Sequence, residues 1–168
     1  MSPRTILQNE EIRQQKKEHI MNTALELFSD KGYYATSISD ISKKAKISKG
    51  LLYNYFQSKE KLLESIIQDG FDKIIISFDH NKDGIITKDE LIFFIDSIIA
   101  MMQNDKSFWK LYMSLLLQPA VHHSKIIDEY REKAGFVFIM LKDYFIKKGS
   151  QSPDSDILML HLIMDGIF

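Results

Sequence analysis

The chain has 168 residues and no cysteine. A protein without cysteine forms no disulfide, no thiolate metal site and no cysteine nucleophile, and it is compatible with a reducing compartment. No segment holds about twenty consecutive apolar residues, the length that a membrane-spanning helix needs. The opening stretch, MSPRTILQNEEIRQQ, lacks the apolar run of a signal peptide. We therefore expect a cytoplasmic protein that does not enter a membrane.

The sequence also lacks the residue patterns of common enzymes. Neither a phosphate-binding glycine loop nor the HExxH pattern of metalloproteases occurs, and no serine or acid arrangement predicts catalysis. We therefore expect no enzymatic activity and no required cofactor.

What the sequence does contain is helical periodicity. Three prolines interrupt the chain, apolar residues recur at helix spacing, and no long stretch alternates apolar and polar residues, so we predict an all-α fold. The predicted helices begin with one from near Asn9 to Ser29 that Gly32 caps, one opened by the capping pair Ser37 and Asp40, one capped by Ser48, and one from Lys59 to about Phe78. Further helices are predicted over 88–103, 106–118, 124–148 and from 154 to the end.

Two features of the first third favour binding to nucleic acid. Residues 1–61 carry eleven Lys/Arg against seven Asp/Glu, whereas the remainder carries eleven against sixteen; chance explains so small an excess equally well. The two short helices joined by AKIS have the layout of a helix-turn-helix, whose second helix enters a DNA major groove. If Leu52 and Phe56 face the core, Lys49, Gly50, Tyr53 and Asn54 face outward, with Tyr55 at the edge.

The stretch IMNTALELFSDKGYYATSISDISKKAKISKGLLYNYFQSKEKLL, residues 20–63, resembles the DNA-binding domain of the TetR family of bacterial transcriptional regulators. The resemblance is carried by Ala24, Leu27, Phe28, Gly32, Thr36, Ile38, Ile41, Ala45, Ser48, Gly50, Leu52, Tyr53, Phe56, Ser58, Lys59, Glu60 and Leu62. It implies an N-terminal three-helix helix-turn-helix domain over 1–57 and a C-terminal helical ligand-binding and dimerisation domain over 58–168. It also implies a homodimeric regulator, most simply a ligand-released repressor on a palindromic operator.

The resemblance assigns the DNA contacts by position. Phosphate contacts fall to Thr36, Tyr53, Tyr55 and Lys59, approach to base edges falls to Ser48, Lys49, Gly50 and Asn54, and Ser37 and Lys46 complete the candidate set. Lys46 stands where the family has a turn glycine, so a left-handed backbone there would cost about 1 kcal/mol. The alternative is that the tyrosines are half-buried packing residues and the lysines a solvated face.

A second pattern follows the fourth helix. FDHNKDGIITKDELIFFI, residues 78–95, resembles a calcium-binding EF-hand loop. The ligands would be Asp79, Asn81, Asp83, the Ile85 carbonyl, Thr87 and Glu90, and the alternative function is then a calcium-binding helical sensor or interaction module. Against this, Asp, Asn and Gly are common turn residues, Thr87 is a natural N-cap, and no second loop pairs with this one.

Beyond Lys88 the resemblance is architectural. It implies a pocket for an unknown small-molecule effector, with candidate lining residues Met101, Phe108, Trp109, Tyr112, Met113, Phe136, Met140 and Tyr144. Aromatic and methionine stripes at helix spacing are also typical of an ordinary core. Because LHLIMDGIF ends inside an apolar helix, we expect the C-terminal domain to be incomplete in this sequence.

Overall fold

A computed structural model describes residues 6–79, 81–116 and 125–165, and every regular element in these ranges is an α-helix. The predicted all-α fold is confirmed, and the helices lie close to their predicted positions. They are α1 (Ile6–Lys31), α2 (Ile38–Lys44), α3 (Lys49–Tyr55), α4 (Lys59–Phe78), α5 (Lys88–Asn104), α6 (Lys106–Leu116), α7 (Lys125–Lys147) and α8 (Pro153–Asp165).

Contacts divide the chain into two compact units. The first comprises the described parts of 1–67 and 107–117, and the second those of 68–106 and 118–168. The first unit therefore holds α1–α3, the start of α4, and α6. The predicted domain boundary between residues 57 and 58 stays a prediction.

The core of the first unit is built on the second half of α1. Ile20, Ala24, Leu27 and Phe28 are buried at the spacing of one helix face, as predicted, whereas the side chains from residue 6 to residue 19 are exposed or half-buried. α1 is followed by Gly32, whose φ is +88° and whose N–H donates to the Phe28 carbonyl (3.0 Å), so the predicted C-terminal cap is confirmed.

The helices α2 and α3 have seven residues each. Helices this short are not stable in water by themselves, so they depend on packing against the rest of the unit. Ile41 of α2 and Leu52 of α3 are fully buried, and Leu62 of α4 closes the same core. Burial of each such side chain stabilises the fold by roughly 1.5–3 kcal/mol.

The second unit has a core of its own around α5. The rings of Phe78 and Phe94 pack edge to face with their centroids 4.7 Å apart. The other buried members are Ile86, Leu91, Ile98, Met140, Leu141 and Ile157. In the described parts of the chain, no helix combines the length and the apolar character needed to cross a bilayer.

Candidate nucleic-acid interface

The helices α2 and α3 both begin at a serine. Ser37 and Asp40 form a reciprocal capping box, in which the Asp40 N–H donates to Ser37 Oγ (3.2 Å) and the Ser37 N–H donates to the Asp40 carboxylate (3.0 Å). At the next helix, Ser48 Oγ accepts from the N–H of Leu51 (3.1 Å). Both caps satisfy N–H groups that a helix start leaves without an intrahelical partner. The predicted caps of these helices are confirmed.

The turn between α2 and α3 has a left-handed residue that is not glycine. After the C-cap Ala45, the Lys46 backbone has a φ of +55°. The Ile47 N–H donates to the Ser42 carbonyl (3.0 Å) and the Lys46 N–H to the Lys43 carbonyl (3.3 Å), which is the Schellman pattern. The expected strained conformation of Lys46 is therefore present, and its side chain is exposed.

The third helix turns one face inward and one outward, as the sequence predicts. Leu52 is fully buried and Phe56, the C-cap, is nearly so. Tyr55 is half-buried at the edge. The candidate residues exposed on the outward face and at its start are Ser48, Lys49, Gly50, Tyr53 and Asn54. This face therefore brings an ammonium, a phenol and a carboxamide together within seven residues of chain.

One predicted contact is wrong. Thr36 is fully buried, and its Oγ1 donates to the carbonyl oxygens of Gly32 (2.9 Å) and Leu27 (3.2 Å). A hydroxyl held in this way has no path to a phosphate, so the Thr36 side chain is a structural tie between α1 and α2. Its neighbour Ser37 is exposed, although its hydroxyl belongs to the capping box.

The start of α4 reaches the turn between α1 and α2. The ammonium of Lys59 donates to the carbonyl oxygens of Tyr33 (3.0 Å) and Thr36 (2.9 Å) and lies 4.4 Å from the centroid of the Tyr33 ring. The Tyr33 hydroxyl donates to Glu60 (3.3 Å). Burial raises the pKa of Tyr33, while hydrogen bonds from its own backbone and from Ser58 hold the pKa of Glu60 below its ordinary value.

Two tyrosines of this turn were not among the candidate residues. Tyr33 is buried and packs edge to face on Tyr34 (5.1 Å), which is 65% exposed. Lys59 in the first turn of a helix opposes the helix dipole, which indicates an unusual environment but does not identify Tyr33 as its partner. No sequence signal separated Tyr34 from an ordinary turn residue.

Comparison with known proteins agrees with this geometry. Residues 20–66 match the sequence profile of the family described as bacterial regulatory proteins, tetR family. Residues 20–66 form a tetR-family domain. The match includes the capped helices, the Lys46 turn and the outward face of α3 described above, and it confirms the resemblance inferred for residues 20–63.

Curated relatives named as transcriptional regulators are similar to parts of this chain. The chain is 51% identical over 59 residues to the HTH-type transcriptional regulator YuxN of Bacillus subtilis, covering 35% of this chain and 20% of that protein. It is 32% identical over 116 residues to IcaR of Staphylococcus epidermidis, a negative transcriptional regulator of the biofilm operon icaADBC, covering 69% of this chain and 62% of IcaR. The chain thus spans less than two thirds of the length of both relatives.

Solved structures extend the likeness beyond the tetR-family domain. A TerR/AcrR-family transcriptional regulator from Aquifex aeolicus VF5 is 27% identical, with a TM-score of 0.70 and coverage of 90% of this chain and 84% of that one. A TetR-family transcription regulator from Marinobacter aquaeolei VT8 has a TM-score of 0.74 at 18% identity and coverage of 94% and 84%, which bears on the fold alone. The two-domain helical architecture predicted from the sequence is therefore confirmed.

The loop 79–90 lies in the second unit, outside the tetR-family domain. Its polar side chains bind its own backbone: the N–H groups of Gly84, Asp83 and Ile85 donate to Asp79 (3.1 Å), Asn81 (3.0 Å) and Asp83 (2.8 Å), respectively. One atom fits a cation, since Asp79 Oδ1 is buried and has no hydrogen-bond partner.

The remaining calcium ligands are not assembled in the loop. The Glu90 carboxylate accepts hydrogen bonds from the N–H (2.9 Å) and the hydroxyl (2.8 Å) of Thr87, in a capping box that opens α5. In the described parts of the chain, no group of three or more His, Cys, Asp or Glu side chains is placed to hold a metal. In this structure the Glu90 carboxylate serves the start of α5, and its role as a calcium ligand stays a prediction, as does calcium binding by the loop.

The eight candidate pocket residues divide between the units. Phe108, Trp109, Tyr112 and Met113 lie in the first unit, and Met101, Phe136, Met140 and Tyr144 in the second. Phe108 and Trp109 are buried with ring centroids 5.4 Å apart, and Met140 is buried in the second core. These three behave as packing residues, the alternative that the sequence left open. Phe136 is 51% exposed and lines a cleft with Ile75, Ile76, Asp79, Lys82, Asp83 and Gly84.

Proposed function

We propose that this protein is a DNA-binding transcriptional regulator, a repressor that binds a palindromic operator as a homodimer and is released by a small-molecule effector. One observation carries the proposal: in a domain of the tetR family, α3 buries Leu52 and presents Lys49, Tyr53 and Asn54 to solvent. The negative regulator IcaR, similar over 116 residues, supports repression.

The outward face of α3 has the chemistry that a duplex requires. The Tyr53 hydroxyl suits phosphate oxygens, which fix the orientation of a protein on DNA without reading sequence. The Lys49 ammonium, which the resemblance places near base edges, suits a phosphate oxygen as well, and we propose that contact for it here. The Asn54 carboxamide has the donor and the acceptor that pair with adenine in the major groove. Gly50 leaves the first turn of the helix without a side chain, so the backbone can approach a base edge.

A homodimer supplies the second reading helix. The hairpin of α7 and α8 exposes Phe138, Ile139, Ile146, Leu158, Met159 and Leu162 to solvent. Ile139 and Ile146 are seven residues apart and share one face of α7, as Leu158 and Leu162 share one face of α8. We propose that a second copy covers this apolar surface, so that two α3 helices enter successive major grooves about 34–36 Å apart.

Selection from a random duplex library tests the DNA-binding function. We expect the wild-type protein to enrich one near-palindromic sequence, called the selected duplex below, and to protect it from nuclease. Asn54→Ala should reduce the preference for the selected duplex over random DNA at the adenine it reads, by about 1–3 kcal/mol. Gln103→Ala, which removes an exposed carboxamide from α5, is the control and should change nothing. A library that returns unenriched rejects the proposal.

Sedimentation equilibrium tests the dimer. Ile139→Glu should produce a monomer and abolish binding to the selected duplex, because a buried unpaired carboxylate is costly at an interface. Ile92→Glu is the matched control, since Ile92 is an exposed isoleucine on α5. Equal behaviour of the two variants would contradict the proposed surface.

The calcium-sensor alternative receives no support from the relatives described above, all of which are named as transcriptional regulators.

The effector is found by screening for compounds that lower the affinity for the selected duplex.

A further inference from the structure

Lys59 occupies a position that its own helix does not favour. It is the first residue of α4, where the partial positive charge of the helix N-terminus repels a cation and attracts an acid such as the neighbouring Glu60. The sequence resemblance explains the lysine by a phosphate contact. The structure offers a partner within the protein.

That partner is the turn between α1 and α2. Two of the three N–H donors of the Lys59 ammonium are committed to the carbonyl oxygens of Tyr33 and Thr36, at 3.0 and 2.9 Å. The ammonium also lies over the Tyr33 ring, 4.4 Å from its centroid. The side chain is half-buried, so water screens these contacts less than it screens an exposed ion pair.

The two carbonyl groups lie directly before α2. Thr36 is fully buried and precedes Ser37, the N-cap of that helix. The same turn of α4 also binds the Tyr33 side chain, whose hydroxyl donates to the Glu60 carboxylate. The first turn of α4 therefore binds the segment before α2 through two side chains of opposite charge, Lys59 and Glu60.

We propose that Lys59 is a positioning residue for duplex recognition, which acts through Tyr33 and Thr36 on the placement of α2 and α3. The inference rests on the proposed function. Since α3 packs on α2, a shift at the start of α2 moves the exposed face of α3 relative to a base edge. Lys59 then contributes to sequence preference and carries no counterion-releasing contact.

The salt dependence of binding separates the two roles. A phosphate contact contributes about 0.9 to the slope of log affinity against log salt, and a homodimer has two copies of each contact. The proteins compared are the wild type, Lys59→Met, Lys49→Met and Lys61→Met. Their affinities for the selected duplex and for a random duplex are measured between about 50 and 200 mM salt, which gives the slope for each protein.

Lys59→Met should lower the ratio of selected to random affinity at least tenfold and leave the slope for the selected duplex unchanged. Lys49→Met, on the exposed face of α3, should reduce that slope by about 1.8 per dimer. Lys61→Met removes a charge from the same turn of α4, where the ammonium pairs with Glu64, and should leave the ratio unchanged. Lys59→Gln, which keeps an uncharged donor, should give an intermediate ratio at an unchanged slope.

Two results for Lys59→Met would overturn the positioning role. One is a fall of about one or more in the slope of log affinity against log salt, and the other is an unchanged ratio of selected to random affinity. If Lys59→Met does not fold, as judged by the fluorescence of the single tryptophan in the first unit, Lys59→Gln decides by the same criteria. Failure of the proposed function is seen separately, because the wild-type protein then enriches no duplex.

Discussion

Ser48 Oγ lies 3.1 Å from the backbone nitrogen of Leu51 and accepts its hydrogen bond, so the first turn of α3 is closed by a side chain. Gly50 lies inside this turn. A Cβ added at Gly50 would have its nearest contact at 4.0 Å, to Ser48 Oγ. The packing of the protein itself therefore gives no reason for a glycine at this position.

Gly50→Ala should stabilise the protein and weaken its binding to DNA. Alanine is favoured over glycine in a helix by about 0.5–1 kcal/mol, whereas an added methyl group separates the α3 backbone from a base edge. Urea unfolding followed by tryptophan fluorescence measures the first effect, and affinity for the selected duplex measures the second.

The matched control is Gly135→Ala. Gly135 lies within α7, and a Cβ there would meet no atom within 4 Å. This variant should gain similar stability and keep full affinity. Loss of affinity in both variants would contradict the close approach of Gly50 to the duplex.

Lys46→Gly should be more stable than Lys46→Ala. Both variants remove the ammonium, but the alanine retains a Cβ at a φ of +55°, which costs about 1–2 kcal/mol and is partly offset by the greater freedom of glycine in the unfolded chain. We expect a difference of about 0.5–1 kcal/mol in the free energy of unfolding. Equal stabilities would show that the Lys46 turn is not strained.

Thr36→Val should destabilise the first unit by about 1–2 kcal/mol, because the buried carbonyl groups of Leu27 and Gly32 lose the hydroxyl that donates to them. Valine preserves the shape, so the loss isolates the hydrogen bonds. The midpoint of urea unfolding reports the change. Thr36→Ser keeps the hydroxyl and serves as the comparison. If the serine variant is less stable to urea than the valine variant, the methyl group of Thr36 matters more than its hydroxyl.

Acid should weaken the start of α2. Hydrogen bonds from the Ser37 side chain and backbone hold the pKa of Asp40 below its ordinary value of 3.8. Because the folded-state pKa is the lower one, this stabilisation is present above about pH 4 and is lost as the pH falls through the folded-state value. The melting temperatures of the wild type and Asp40→Ala, measured between about pH 5 and pH 2, should therefore converge as the pH falls. A constant difference would contradict the ionised cap.

Glu90 should behave as a helix cap. Glu90→Gln preserves the capping box with Thr87 and should change stability little, whereas Glu90→Ala should cost about 1 kcal/mol. Calcium at about 1–10 mM should raise the melting temperature of the wild type no more than it raises that of Glu90→Gln. A calcium effect confined to the wild type, with matching calorimetric heat, would restore the EF-hand interpretation.

Local sequence rules predicted the parts of the site that depend on a few neighbouring residues. The caps at Ser37 and Ser48 and the left-handed Lys46 follow from patterns within six residues of chain, and the inward direction of Leu52 follows from helix periodicity. The burial of Thr36 and the grip of Lys59 on Tyr33 could not be predicted in this way. The Lys59 contacts join residues more than twenty positions apart, and the Thr36 hydroxyl bonds to Leu27, nine positions away across a turn, which no short pattern encodes.

The role of Glu90 is ambiguous in the sequence for a related reason. Its spacing from Asp79 fits a cation loop and its spacing from Thr87 fits a capping box, so the sequence alone does not choose between the two motifs. The choice between them depends on where the carboxylate turns in three dimensions.

The serine that opens each short helix also bears on how quickly the first unit forms. A bond such as the one from Leu51 to Ser48 spans three residues, so each helix start is nucleated by its nearest neighbours in the chain. Domains dominated by such local contacts cross their folding barrier within microseconds to milliseconds. After a local opening, we therefore expect both helix starts to re-form from their own neighbours, without waiting for distant parts of the chain.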